Sequence, residues 1–245
     1  MDEHRFNYTT EVDRQIAEGM VRERALAVPV PVRLQRRSRD HRGFIVPYFV
    51  AWLDEQGNQA VEAEGKPDFR VVDPRRFADC VNYKRCWLCG NALGVHMAFV
   101  LGPMCTINKI ISEPPSHKEC AEYAMKACPF LSRPRMRRNE KDLPENRVEA
   151  AGEPQTRNPG TMALWMTRSY QPFRAHAGND GVLFRVGPWE QVQWWREGRH
   201  ATRAEALAAL EEGYELLKVT AAEEGDEALG ALERMTLEAM RTLPA

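Results

Sequence analysis

The residues whose types and spacing carry the strongest chemistry are Cys86 and Cys89 in CWLCG and His117 and Cys120 in PSHKEC. Two cysteines separated by two residues can grip one Zn²⁺ from a tight turn, because backbone N–H groups in that turn point at the thiolates. Gly90 then relieves the strain after the turn. Downstream, Pro114-Pro115 keeps a helix from starting earlier, and Ser116 and Glu119 stand at capping-box spacing, so a helix is expected with Ser116 as N-cap. His117 and Cys120 then lie at i and i+3 on one face of the first turn, where the helix dipole favours a thiolate. Such a Cys3His set fills a tetrahedral ion and leaves no position for water, so the expected cofactor is a structural zinc. A knuckle on a hairpin followed by a helix that supplies two ligands is the arrangement of a treble clef. Cys80, Cys105 and Cys128 read as small core residues. Cys128 lies about two turns beyond Cys120 and would replace His117 as ligand only if the helix ended early.

An enzymatic alternative uses the same region. HNH-type nucleases resemble treble clefs whose hairpin and helix present His, Asn and His around a divalent ion, and His96, Asn108 and His117 supply those residue types here. Two departures count against it: His117 is already wanted by the zinc, and His96 lacks a neighbouring acid. In GVHMAFV, His96 also sits in an apolar run, where a packed, hydrogen-bonded histidine is expected. A zinc deaminase would need Pro-Cys-x-x-Cys after His-x-Glu, whereas the CxxC lies upstream of His117-Lys118-Glu119. The sequence has no Walker A loop, no GxGxxG opening a helix and no GxSxG elbow, so no nucleotide cofactor is expected.

Binding is the other class. Arg133, Arg135, Arg137 and Arg138 follow the expected zinc helix, and Arg33, Arg36, Arg37, Arg39 and Arg42 form an earlier run; on one face they would contact phosphates. The formal charge of −1 hides an asymmetry, because residues 1–200 carry 30 Lys/Arg against 25 Asp/Glu while residues 201–245 carry 4 against 10. The body is too weakly basic to hold duplex DNA by charge alone. Apolar residues at 43% and charged residues at 28% of 245 residues are the balance of a globular protein with a sizeable core. No secretory signal is read at the N-terminus and no apolar run is long enough to span a membrane, so a cytoplasmic protein with reduced thiols is expected.

The elements that must position these residues are short. Residues 10–26 carry a helical period, VPVPV reads as extended chain, and GFIVPYFVAWLDE as a strand pair or bulged strand turning at Gly57-Asn58. PDFRVVD is a strand, PRRFADCVNY a helix capped by Asp73 with Pro74 at N1, and MAFVLG a strand. Residues 132–160 lack an apolar period and separate an N-terminal region, 1–131, containing the zinc module at about 80–131, from a C-terminal region, 161–245. MALWMTRSY, GVLFRVG and EQVQWW predict a small antiparallel sheet. Thr202 and Glu205 form a capping box before one helix, and a second helix runs from about Asp226 to Leu243. Strand alternation puts Trp194 and Trp195 on opposite faces, so one of them needs a cover from the C-terminal helices or a partner.

Together the motifs PDFRVVDPRR, CWLCGNALGVHMAFVLGPM, SEPPSHKECAEYAMKACPFL, RPRMRRNEKDLPE and WREGRHATRAEALAALEEGYELL resemble a family of uncharacterised proteins encoded by bacteria and their phages. The likeness spans residues 43–243 and implies a cytosolic protein of that origin without implying an activity. The expected whole is an α+β protein with a treble-clef zinc module and a C-terminal antiparallel sheet packed by two helices. Its expected role is non-enzymatic binding of a nucleic acid or a protein.

Overall fold

The computed structural model describes residues 19–20, 22–133, 137, 141, 143–144, 158–174 and 181–245. The chain runs through β1 (Val50–Leu53), β2 (Lys66–Val72), α1 (Pro74–Tyr83), β3 (Met97–Leu101), α2 (Pro103–Asn108), β4 (Ile110–Ile111), α3 (Lys118–Ala127) and α4 (Pro129–Ser132). It continues with β5 (Thr161–Thr167), β6 (Tyr170–Arg174), β7 (Val182–Val186), β8 (Trp189–Arg196), β9 (Arg199–His200), α5 (Arg203–Glu224) and α6 (Asp226–Met240). The protein is α+β, and every strand pairing is antiparallel.

TMALWMT has almost no polar position, so a strand made of it must be covered on both faces. β5 is accordingly the buried centre of a sheet ordered β3-β5-β8-β9. Period-two alternation divides its neighbours. Ala163, Trp165, Phe99, Leu101 and Trp194 face one core, which is closed by α5, α6 and the second sheet, β4-β7-β6, through Phe184 and Val186. Met162, Leu164, Met166, Ala98 and Trp195 face the other, closed by Ala121 and Met125 of α3. Both tryptophans are buried, at 2% and 4% exposure. The cover over Trp195 is therefore α3, the helix that also carries Cys120, rather than the C-terminal pair or a partner.

The pairings β3–β5 and β4–β7 cross the 132–160 connection, so residues 1–131 and 161–245 share their sheets. The capping box of Thr202 and Glu205 is formed, as is the Asp73 cap with Pro74 following it. Differences lie in the short pieces. Of GFIVPYFVAWLDE only Val50–Leu53 is a strand; Ile45 makes a single bridge to Arg39, and beyond it the Tyr48 N–H is spent on the Leu88 carbonyl of the knuckle. α2 and β4 are too short to show a period. Of the helix expected over 10–26, residues 10–18 and 21 lie outside the described residues, and 22–26 are helical. Among the described residues no helix is long and apolar enough to cross a membrane.

Candidate metal centre

The CWLCG segment folds as a knuckle on a minimal hairpin, with Arg85 bridged to Ala92. The Cys86 N–H donates to the Asn91 carbonyl and the Gly90 N–H to the Cys86 carbonyl, closing the turn at 2.8 and 2.9 Å. Gly90 takes φ +78°, and a Cβ there would stand 2.6 Å from the Tyr48 ring, so both conformation and contact require glycine. The turn aims the Cys89 N–H at the Cys86 sulfur, 3.5 Å away.

The second pair comes from α3. Ser116 is not its N-cap: its N–H and carbonyl are both spent on a bridge to Ala98 of β3, at 2.8 Å each, which holds it extended. His117 is the N-cap instead, without a side-chain capping bond, and Cys120 sits in the first turn. The bridge orients the helix start against the knuckle, and the Trp87 N–H adds a bond to the Pro115 carbonyl at 3.1 Å. One ligand atom from each of Cys86, Cys89, His117 and Cys120 lies within 4.8 Å of the other three, and all four residues are buried. The His117 Nδ1 is 3.4 Å from the Cys89 sulfur, and its Nε2 is 3.1 Å from the Ala92 carbonyl. An Nε2–H donated to that carbonyl leaves Nδ1 as the free ligand nitrogen.

The thiols and the imidazole of this cluster perturb one another. Burial would raise the Cys86 thiol, but hydrogen bonds from Cys120, Cys89 and His117 outweigh it and hold Cys86 far below the usual thiol range. His117 is pushed up to about 10 by its hydrogen bonds to Cys86 and Cys89, against the burial that would lower it. Cys120 is raised, first by donating to Cys86 and Cys89. Three thiols and an imidazole gathered this closely could hold a metal ion.

Around the ligands stands a support that no sequence motif announces. Trp87, inside the CxxC, stacks on Phe49 at 4.5 Å and meets Phe77 of α1 edge-on. The Tyr48 ring lies against Gly90 with the Arg37 and Arg76 guanidiniums 5.7 and 5.3 Å from its centre, and its hydroxyl donates to Asp79 at 2.8 Å. Burial, then that bond, push the Tyr48 phenol up to about 12. Arg33 reaches across to Glu119 of α3 at 2.7 Å. Only Gly90 carried a sequence signal, because it follows the second cysteine.

The other predicted residues are dispersed. His96 is not packed: its side chain is 57% exposed and its Nδ1 lies 2.7 Å from Glu190 of β8, which also pairs with Arg168. The Asn108 side chain accepts from the Ile110 N–H in the turn after α2. His117 belongs to the cysteine cluster, so His96, Asn108 and His117 each serve a different local contact. Cys128 is the C-cap of α3, about 12 Å along the axis from Cys120, and is not in the cluster. Burial pushes the Cys80 and Cys105 thiols up to about 12 and about 11, as for inert core cysteines. Arg137 is exposed, the Arg133 carbonyl accepts from the Asn158 side chain, and Arg135 and Arg138 lie outside the described residues. In the earlier run, Arg42 pairs with Asp40 and Arg39 caps the Gly43 carbonyl, so these arginines brace their own loop. Trp189 of β8 is exposed, whereas Phe184, Trp194 and Trp195 are buried.

Comparison of the chain with family models, with curated proteins and with solved structures gives no match.

Proposed function

We propose that Cys86, Cys89, His117 and Cys120 hold one structural Zn²⁺ in a treble-clef-like module, and that the chain acts by binding a protein rather than by catalysis. The observation that carries this is the convergence of four buried ligand atoms within 4.8 Å. Tetrahedral zinc with Zn–S bonds of about 2.3 Å has ligand–ligand edges of about 3.8 Å, so a small contraction closes the set. Three thiolates and an imidazole are soft and borderline donors that suit zinc and not Mg²⁺ or Ca²⁺. A fourth protein ligand leaves no open position for a water nucleophile. The HNH reading is less favoured, because His117 belongs to the cysteine cluster while His96 pairs with Glu190 and the Asn108 side chain accepts from the Ile110 N–H. For the partner, Arg33, Arg37, Arg39 and Arg42 of the earlier run each bond within the fold and the C-terminal helices are acidic, which favours a protein over a nucleic acid. Kinship with the bacterial and phage family is part of the same proposal and rests on the motifs quoted above.

Native mass spectrometry of the purified chain and of Cys120→Ser tests the site. One zinc per parent chain, and none in the variant, is the expected result. A metal-free parent overturns the metal assignment, and Mg²⁺- or Mn²⁺-dependent cleavage of DNA by the parent overturns the non-catalytic one.

A further inference from the structure

α5 and α6 turn Ala206, Leu210, Leu232 and Ala239 inward onto the sheet. Their outer side is not a uniformly solvated surface. Tyr214 of α5 and Leu237 and Met240 of α6 line a groove of about 540 Å³ between the helices together with Glu211, Glu215 and Glu233. Leu237 is 65% exposed there, and a helix facing only water would gain by a polar residue at that position. Glu215 makes one 3.9 Å pair with Lys218 within its own helix, and Glu211 and Glu233 form no ion pair among the described residues. The whole segment 201–245 carries 10 acidic residues against 4 basic.

We infer that this groove docks a basic amphipathic helix of a partner protein. Glu233 to Met240 spans about 10 Å of α6, so about two turns of a partner helix would lie along it, with apolar anchors on Tyr214, Leu237 and Met240. Lysines or arginines on its flanks would meet Glu211, Glu215 and Glu233. Charge decides between occupants. A second copy packed by the same face would set glutamates against glutamates, and a nucleic acid would set phosphates against them. The inference does not depend on the zinc, because no groove residue touches the metal cluster.

Fluorescence anisotropy with the full chain tests it, using a labelled Leu/Lys amphipathic peptide of about 14 residues, roughly four turns. Leu/Glu and Ser/Lys peptides of the same length serve as comparisons. The Leu/Lys peptide alone should bind. Leu237→Asp should weaken it about tenfold or more, as should the double variant Glu211→Lys, Glu233→Lys, whereas Val219→Asp, outside the groove, should change it less than about twofold. Leu237 and both glutamates are exposed, so these variants should keep the parent circular dichroism. The inference is overturned if the Leu/Lys peptide fails to bind, if the Leu/Glu or Ser/Lys peptide binds as well, or if Leu237→Asp binds like the parent. Sedimentation showing self-association that Leu237→Asp abolishes would assign the groove to a second copy instead.

Discussion

On one face of the central sheet Trp165, Trp194, Phe99 and Leu101 meet two long helices and the second sheet; on the other Trp195, Met162 and Met166 meet the ten-residue α3 through little more than Ala121 and Met125. Large side chains buried on the first face each contribute about 2 kcal/mol, enough to hold α5 and α6 by packing alone. α3 has no such hold. It also lacks a side-chain cap, whereas α5 begins with a complete capping box. What fixes α3 is the start of its first turn, bridged through Ser116 to β3 and, in our reading, ligated to zinc. On that reading the metal would do more than close a loop: through α3 it would complete the second core of the sheet.

The largest effect follows from removing it. Stripping the metal with a chelator should release α3, costing several kcal/mol, since structural zinc sites are worth about 10 kcal/mol or more to the modules they organise. Trp195 would then meet water while Trp194, under α6, would not. In a Trp87→Phe background, which removes the indole of the knuckle itself, a red-shifted tryptophan emission is expected, absent when Trp195→Phe is added, together with faster amide exchange in α3 than in α5. Equal loss of protection in both helices would contradict the division of the two faces. The reverse perturbation is Trp194→Ala. It removes a fully packed indole and its hydrogen bond to the Thr242 carbonyl, 3.0 Å, and should lower global stability by about 3–5 kcal/mol in denaturant unfolding with the metal content unchanged.

The same contrast explains what the sequence disclosed. The four residues of the cluster were legible because each half of it is local: the knuckle is a turn of fixed spacing, and His117 and Cys120 share one helical turn. The alternation of Trp194 and Trp195 was legible for the same reason. Which element covers which tryptophan was not, because α3 and β8 are about 70 residues apart in sequence and nothing in either segment specifies the other. Ser116 shows how tertiary pairing overrides a local motif: a capping box at Ser116 competes with two backbone bonds to Ala98, and the bridge prevails. His96 shows the limit of reading burial from apolar neighbours, since strand alternation ends at Met97 and the next residue back turns to Glu190. Tyr48 had no signal at all; its role appears only when Gly90 is brought against its ring.

The smallest effect concerns the cap that α3 lacks. Glu205 receives the Thr202 N–H at 2.8 Å and the Arg199 guanidinium at 2.6 Å. Arg199 first, then the Thr202 bonds, outweigh burial and hold the Glu205 carboxyl down at about 2, against 4.5 in an unfolded chain. A depressed carboxyl stabilises the fold above its unfolded value, and that contribution disappears as pH falls from about 4.5 toward about 2. Solvent screening reduces it to about 1 kcal/mol for this partly exposed pair. Metal release by acid would lower the stability of parent and Glu205→Gln alike, so the difference between them isolates the cap. That difference should be near its full size at pH 6 and shrink as the pH drops through 4 toward 3. A difference that stays constant with pH would show that α5, unlike α3, is held by packing with no measurable help from its N-terminus.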